Sequence, residues 1–344
     1  MNQQKKKEEE IKIVIRNWLQ TLEVQIGWID DFDKIVAKYV KNFSFFQVQL
    51  RCKDFEVIKV LEGHMGDVNS VRFSRDGKMI VSSSNDETVR IWNVESGKQI
   101  QILRGHSDWV NVAVFSPNGK TVASCADDRT IRLWDITSGK ELRKFEKKAY
   151  TVNLNFSPDG KTIASGSTDG TIQLWDVNSE KEIKKLLGHS DTVRSVQYSS
   201  DGQMIVSSSK DDTICIWNIK SGKRLKELKG HTDTVENVNF SPNNQFIVSC
   251  SYDNTIRIWD VKSGNQLKIL KGHKSDVNDV KYFPDGSTIV SCSDDETICL
   301  WDVNSGQKIQ ELKGCSKRIL GIDISPNGNI IASGSRDRII RIWG

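Results

Sequence analysis

The sequence has few cysteines, no long apolar run and almost no excess of either charge, and each shortage excludes a class of protein. Its seven cysteines are an odd number and include no Cys-x-x-Cys pair, which argues against a disulfide framework and a zinc site. Residues 1–10 are mostly polar or charged, and no apolar stretch of about 20 residues follows. Neither a secretory signal nor a membrane-spanning helix is therefore predicted. We expect a protein of the cytoplasm or nucleus with reduced thiols.

Charge and motifs also argue against several kinds of ligand. The 49 basic and 45 acidic residues give a net charge of +4, whereas nucleic-acid binding favours a clustered basic patch. Gly-Lys-Thr occurs at 119–121 and 160–162, but Val114 and Asn155 stand where a phosphate-binding loop needs its first glycine. The Gly-x-Ser-x-Gly and His-Glu-x-x-His motifs are absent. The sequence thus predicts no catalytic residue, no cofactor and no metal site.

One unit of about 42 residues is repeated along most of the chain. Seven tryptophans are separated by 41 or 42 residues: Trp92, Trp134, Trp175, Trp217, Trp259, Trp301 and Trp343. A fixed period of this length is typical of a repeat protein, in which each unit buries its apolar faces against its neighbours.

Polar residues recur at fixed distances from these tryptophans. Asp lies six residues before every repeated Trp, and Ser lies ten residues before it. A Gly-His pair lies 22 residues before the Asp in five repeats, and these five account for every histidine in the chain. The five complete sets are His64, Ser82, Asp86 and Trp92; His106, Ser124, Asp128 and Trp134; His189, Ser207, Asp211 and Trp217; His231, Ser249, Asp253 and Trp259; and His273, Ser291, Asp295 and Trp301.

Between these markers the sequence predicts short strands. In the first repeat, residues 68–74, 79–84, 88–94 and 99–103 are rich in Val, Ile and Ser, and turn residues such as Asp76-Gly77 separate them. Each repeat therefore contributes four strands and no helix. Seven four-stranded sheets are best closed into a ring of blades, because a ring leaves only short sheet edges.

These residues resemble the WD-repeat β-propeller family, whose units carry Gly-His near the start and Trp-Asp near the end. The resemblance covers about residues 54–344. It implies an all-β fold in which residues 53–344 form a seven-bladed propeller. The sequence ends after the third strand of its last repeat, and we expect residues 55–61 to pair with that blade and close the ring.

The resemblance also implies that Trp, Ser, His and Asp of one repeat form a structural hydrogen-bonded tetrad. Ser, His and Asp are equally the members of a hydrolase triad. However, a serine that must also bond a Trp is poorly placed for attack, and repetition around a ring indicates architecture. Repeat three has Lys147 or Lys148 in place of His, and repeat seven has Cys315. An alternative hypothesis makes Cys315 a reactive thiol near solvent in a thiol-based enzyme, although no histidine is spare to serve as its base.

Propellers of this family bind most partners on the face that carries the Gly-His loops, so the resemblance implies a non-catalytic scaffold for a protein or peptide. The residues predicted to line that face are Trp109, Asn111, Asp127, Arg194, Lys210, Glu236, Tyr252, Asp294, Arg318 and Arg336. Trp109 is the one propeller tryptophan outside the repeated set, and it is either an exposed anchor for a partner or a side chain packed on a neighbouring loop. A chromatin- or nucleic-acid-associated subunit is the alternative, which the balanced charge disfavours.

Residues 1–52 form a separate segment in this interpretation. Within residues 11–43, apolar residues such as Trp18 and Tyr39 recur at helical spacing on either side of Gly27. This pattern predicts an αα-hairpin-like extension. Its apolar stripe serves either in dimerisation or docking, or in packing against the propeller.

Overall fold

Residues 54–344 are the part of the chain that the computed structural model describes, and they form 28 strands in seven four-stranded antiparallel sheets. No helix occurs among these residues, so none is present there that could cross a membrane. The prediction of an all-β, seven-bladed propeller is confirmed. The predicted hairpin at residues 11–43 and the boundary after residue 52 lie outside the described residues.

Each sheet is one blade, and its four strands follow one another outward from the centre of the ring. The innermost strands are β2 (Val68–Phe73), β6 (Val110–Phe115), β10 (Thr151–Phe156), β14 (Val193–Tyr198), β18 (Val235–Phe240), β22 (Val277–Tyr282) and β26 (Ile319–Ile324). The second strands are β3 (Met79–Ser84), β7 (Thr121–Ala126), β11 (Thr162–Ser167), β15 (Met204–Ser209), β19 (Phe246–Ser251), β23 (Thr288–Ser293) and β27 (Ile331–Ser335). The third strands are β4 (Thr88–Asn93), β8 (Thr130–Asp135), β12 (Thr171–Asp176), β16 (Thr213–Asn218), β20 (Thr255–Asp260), β24 (Ile298–Asp302) and β28 (Ile340–Trp343). The outermost strands are β5 (Gln99–Arg104), β9 (Glu141–Glu146), β13 (Glu182–Leu187), β17 (Arg224–Lys229), β21 (Gln266–Lys271), β25 (Lys308–Leu312) and β1 (Val57–Leu61).

The last blade takes its outermost strand from the start of the domain. β1 pairs antiparallel with β28, and Leu61 lies opposite Ile340. The pairing continues past both strands, where Glu56 and Gly344 exchange two backbone hydrogen bonds of 3.4 and 3.0 Å. The first and last blades are therefore joined by residues that are far apart in the sequence.

Local sequence explains the tight connections between strands. In the turn from β2 to β3, one carboxylate oxygen of Asp76 accepts hydrogen bonds from the Ser74 hydroxyl and from Lys78 N. Gly77 follows with a φ of 70°, a left-handed conformation that glycine adopts without the cost of a Cβ. This turn lies at the end of the blade opposite the Gly-His loop.

The apolar core lies between successive blades. At the junction of blades seven and one, Trp92 and Val71 of blade one cluster with Leu61, Ile340 and Ile342 of blade seven. Similar clusters of buried residues join the other blades, each including one of the repeated tryptophans. Because each blade buries its face against the next one, no blade has a complete core by itself.

Two tyrosines at the ends of innermost strands have different surroundings. The hydroxyl of Tyr198 makes a 3.0 Å hydrogen bond with the hydroxyl of Thr162 on the preceding blade. At the matching place beside Tyr282, the second strand begins with Phe246, which has no polar group. The hydroxyl of Tyr282 is consequently buried without a partner among the described residues.

We expect opposite effects from removing these two hydroxyl groups. Tyr198→Phe should lower the free energy of unfolding by about 1 kcal/mol, because a satisfied hydrogen bond is lost. Tyr282→Phe should raise it by about 1 kcal/mol, because a buried polar group without a partner is removed. Urea unfolding of the two variants measures both effects, and losses of equal size would show that Tyr282 has a partner in solution.

Candidate interaction face

The tetrads determine the conformation of the loops that form one face of the ring. In blade one, Trp92 Nε1 donates a 2.8 Å hydrogen bond to Ser82 Oγ, and the Ser82 hydroxyl lies 2.7 Å from His64 Nε2. His64 Nδ1 lies 2.8 Å from Asp86 Oδ2, which also accepts a 2.9 Å bond from Met65 N. The Gly-His loop is thereby fixed to the Asp turn.

The same hydrogen bonds recur in the other blades that have a histidine. The His–Asp and His–Ser distances all lie between 2.7 and 2.9 Å. Every one of these histidines is buried, as is every serine and tryptophan of the five tetrads. The serine and histidine of a tetrad are thus not open to a substrate in the way a hydrolase triad requires.

These hydrogen bonds keep the tetrad carboxylates ionised. Burial by itself would raise the pKa of Asp86, but hydrogen bonds from His64, Thr88 and Met65 N outweigh it and hold the pKa far below its usual value. The pKa values of the other four tetrad aspartates are lowered in the same way, because their hydrogen bonds also outweigh burial. Burial also lowers the pKa of His64 and His231, which favours the neutral ring in those two tetrads. In blade four burial has the same direction, but hydrogen bonds with Asp211 and Cys215 outweigh it and raise the pKa of His189 to about 9.

This arrangement predicts that the propeller is sensitive to acid. A carboxylate whose pKa is lower in the folded state contributes stability above its unfolded pKa of about 4, and this contribution is lost as the pH falls below that value. We expect the midpoint of urea unfolding to decrease steeply below about pH 4. Asp253→Asn should be less stable at pH 7 but should show a shallower decrease in acid. If stability falls with pH as steeply in Asp253→Asn as in the wild type, the tetrad aspartates are not the cause of the acid sensitivity.

Blade three replaces the histidine with a lysine. Of the two predicted candidates it is Lys147, because its Nζ donates 2.8 and 2.9 Å hydrogen bonds to the hydroxyls of Ser165 and Ser167. The ammonium group lies 5.6 Å from the centre of the Trp175 ring, a cation–π contact. Burial lowers the pKa of Lys147 to about 8. Lys148, the other candidate, is exposed and makes no such bonds.

Blade seven replaces the histidine with a cysteine, and the surroundings of Cys315 argue against the alternative hypothesis of a reactive, solvent-near thiol. Cys315 is half-buried and packs against the apolar cluster of that blade. Burial raises the pKa of its thiol to about 11, so that the thiol is protonated and a weak nucleophile at neutral pH. The tetrad aspartate Asp337 pairs instead with Arg341 at 2.7 Å. The other cysteines among residues 54–344 are buried and unpaired, and no group of residues in this range could hold a metal ion.

Trp109 is exposed on the face. Its side chain is 54% accessible to solvent, whereas all seven repeated tryptophans are buried. The Trp109 carbonyl accepts a 2.9 Å hydrogen bond from Asp127 N, and its own N donates a 2.8 Å bond to the Asp108 side chain. The sequence left open whether Trp109 is exposed or packed on a neighbouring loop. In the structure of residues 54–344 its side chain is exposed.

Five of the predicted face residues form bonds between or within blades. Asn111 donates hydrogen bonds of 2.8 Å to Asp127 and of 3.0 Å to the Thr151 carbonyl of the next blade. Asp294 accepts the matching bond from Asn278 in blade six. Arg194 of blade four forms a two-bond ion pair with Glu236 of blade five, at 2.7 and 2.6 Å. These side chains therefore contribute to the architecture of the face.

The remaining predicted residues differ in their availability to a partner. Lys210 is exposed, and Tyr252 is half-buried beside the Arg194–Glu236 pair. Arg318 lies 2.7 Å from Asp294 but keeps 53% of its side chain exposed. Arg336 lies 3.6 Å from Asp67 and is 48% exposed.

Three further exposed side chains of the face are apolar or contact an aromatic ring. They are Met65, directly after the blade-one histidine, and the pair Tyr150 and Arg129 of blades three and two. Tyr150 occupies the place of Trp109 in the next blade, because its carbonyl accepts the equivalent bond from Thr168 N. Arg129 lies over the Tyr150 ring at 4.9 Å and donates a 3.3 Å hydrogen bond to its hydroxyl. The one-residue deletion in repeat three left the register of Tyr150 uncertain in the sequence.

Comparisons with known proteins agree with this architecture. Residues 24–186 match the family model of the IFT122 first beta-propeller, and residues 112–271 match that of the echinoderm microtubule-associated protein second beta-propeller. Residues 264–302 and 306–344 match the model of the WD domain, G-beta repeat. A curated relative from Mus musculus, a component of chromatin assembly factor 1, is 39% identical over 54 residues, which are 16% of this chain and 9% of that protein. With its seven blades and repeated tetrads, the chain belongs to the WD-repeat β-propeller family.

Proposed function

We propose that this protein is a non-catalytic scaffold that binds a protein or peptide partner through the Gly-His face of its propeller. WD-repeat propellers generally act as interaction scaffolds. The observation that carries the proposal is Trp109, a large aromatic side chain that is 54% exposed on a face whose loops are otherwise held by hydrogen bonds. Exposed Trp and Arg side chains on a preorganised surface are typical of binding hot spots.

The test is affinity capture from cell extract with matched variants. The face variant combines Trp109→Ala, Arg318→Glu and Arg336→Glu, all exposed residues outside the buried tetrads. The control variant combines Leu142→Ala on an outermost strand with Lys262→Glu in the exposed connection between β20 and β21. We expect a set of proteins to be retained by the wild type and the control and lost from the face variant.

Direct binding of each purified candidate by calorimetry should then follow the same order. Capture of the same proteins by all three forms would contradict the proposal. If the losses occur only when residues 1–50 are deleted, the amino-terminal segment and not the face is the binding element.

A second candidate function follows from the comparison with the chromatin assembly factor 1 component. That short match supports a chromatin-associated role as the alternative. Retention of the purified chain on immobilised DNA, with an affinity that falls steeply as salt rises, would favour direct contact with nucleic acid. We expect no such retention, because the basic and acidic residues nearly balance.

A further inference from the structure

Exposed apolar side chains are confined to one sector of the Gly-His face. Met65, Trp109 and Tyr150 belong to blades one, two and three and are 73%, 54% and 40% exposed. The other exposed large apolar residues of the described chain all lie on outermost strands; one of them, Leu187 of blade three, directly precedes the Gly-His loop of blade four. Consecutive blades pack against one another, so these three side chains follow one another around the ring.

The blade on one side of this apolar sector is basic. Two loops of blade seven carry Lys317, Arg318, Arg336 and Arg338. Asp337 does not offset this charge, because it pairs with the buried Arg341. Arg318 and Arg336 reach carboxylates of blades six and one, whereas Lys317 and Arg338 make no ion pair among residues 54–344. Blade seven therefore presents uncompensated positive charge next to Met65 of blade one.

The face loops of blades four to six carry more acidic than basic side chains, with Lys210 and Lys274 as their exposed cations. Asp212, Asp233, Asp276 and Glu296 belong to the loops of blades four, five and six. Burial raises the pKa of Asp212, and the nearby carboxylate of Asp233 raises it further. Burial raises the pKa of Asp276 as well, and Asp294 and Asp233 add to the shift. The face is consequently polarised, with an acidic sector opposite the junction of the basic and apolar sectors.

The Tyr150 ring and the Trp109 backbone have contacts within the apolar sector. Arg129 stacks on Tyr150 and donates a hydrogen bond to its hydroxyl, and these contacts orient the ring while Tyr150 stays 40% exposed. The carboxylates nearest Trp109 are engaged, since Asp108 caps Trp109 N and Asp127 accepts a bond from Asn111. A rigid aromatic surface binds at a smaller cost in conformational entropy than a mobile one.

We propose that the face binds an acidic partner segment that carries large apolar side chains. Its carboxylates lie on the basic loops of blade seven, and its apolar side chains lie on Met65, Trp109 and Tyr150. The acidic sector of blades four to six repels the same segment and so sets its position and direction on the ring. This inference rests on the proposed function and specifies the chemistry of the partner.

The experiment is a selection from a random peptide library displayed on phage, with the full-length chain immobilised. We expect the enriched peptides to combine Asp or Glu with Trp, Phe, Leu or Met. The affinity of a selected peptide, measured by fluorescence anisotropy, should fall about tenfold with Trp109→Ala and about tenfold with Arg318→Glu/Arg338→Glu. Raising the salt concentration should weaken binding to the wild type and have little effect on binding to the charge-reversed variant.

The matched control is Lys262→Glu, which reverses an exposed charge in the connection between β20 and β21. It should leave the affinity unchanged. Enrichment of basic peptides, the absence of any enrichment, or equal binding by the wild type and the Trp109→Ala variant would each overturn the inference. Pairing of two copies of the chain through this face would also overturn the inference, because the pairing would cover the peptide site. Sedimentation of the purified chain would detect such a dimer.

These outcomes are separable from failure of the proposed function. If the face variant loses proteins in affinity capture while the selected peptides are basic, the scaffold function stands and only the chemistry of the partner is wrong. If neither experiment depends on the face, both proposals fail.

Discussion

Trp134→Ala should lower the free energy of unfolding by about 3–5 kcal/mol, the range found when a large aromatic residue is removed from a core. The Trp134 side chain is 1% exposed, and its Nε1 donates a 2.8 Å hydrogen bond to Ser124 Oγ. It packs against residues of blades one and two, including Val81 and Val110. The substitution therefore leaves a cavity between two blades and removes one bond of a tetrad. Urea unfolding followed by circular dichroism measures the loss.

Trp109→Ala is the matched control, because it makes the same chemical change at a position that is 54% exposed. We expect it to change the free energy of unfolding by less than about 0.5 kcal/mol, as is usual for surface substitutions. A loss comparable to that of Trp134→Ala would show that Trp109 is covered in the full chain. In that case it could not serve as the anchor of a partner site.

Asp323→Ala should be about as destabilising as the tryptophan substitution. Asp323 lies on β26, where its Oδ2 accepts a 2.7 Å hydrogen bond from Phe73 N of blade one. Its Oδ1 lies 3.7 Å from Lys281 Nζ of blade six, and both side chains are largely buried. Removing one partner of a buried ion pair leaves the other charge uncompensated and typically costs about 3–5 kcal/mol. The loss should appear in urea unfolding and as faster proteolysis.

The surroundings of Asp323 explain why this site matters for the ring. Arg72 of blade one lies 3.3 Å from Asp279 of blade six and donates a 3.1 Å hydrogen bond to the Ile322 carbonyl of blade seven. Two cations and two carboxylates on innermost strands therefore connect the blades at which the ring closes. Pairing of β1 with β28 closes the ring on the outside, and this network closes it on the inside.

Two further variants separate the contributions at Asp323. Asp323→Asn keeps an acceptor for Phe73 N and should be less destabilising than Asp323→Ala. Adding Lys281→Met to Asp323→Ala removes the unpaired ammonium group and should recover part of the lost stability. A double variant that is no more stable than Asp323→Ala would show that the ion pair contributes little. The surface variant Asp108→Ala provides the baseline for loss of an exposed carboxylate.

The fold could be predicted because its repeated features are local in the sequence. The spacing of Trp134 from Asp128 and Ser124 is the same in every repeat, and turn residues such as Asp76-Gly77 mark the strand ends. These positions are set by the geometry of one blade, which each repeat determines for itself. The substitution of lysine for histidine in repeat three was visible, but the deletion beside it left two lysines to choose from. Only the hydrogen bonds of Lys147 to Ser165 and Ser167 decide between them.

The candidate site was less predictable, because it depends on contacts between blades. Arg194 and Glu236 occupy equivalent positions 42 residues apart, and nothing in either repeat indicates that they form a two-bond ion pair. Cys315 occupies a loop position by sequence, yet its packing against the blade-seven cluster raises its pKa. The exposure of a side chain is decided by what neighbouring loops cover, and this is a property of the assembled ring.

Consecutive residues are enough to specify the number of blades, the four strands of each, the tetrads and the face on which the Gly-His loops lie. A strand, a turn and a hydrogen-bonded tetrad each form within one repeat, so their pattern can be read along the chain. Which face residues bond to a neighbouring blade, which remain open, and how charge is distributed around the ring depend on how the blades assemble. Residues such as Arg72 and Asp279 lie 207 positions apart, and only closure of the ring brings them into contact.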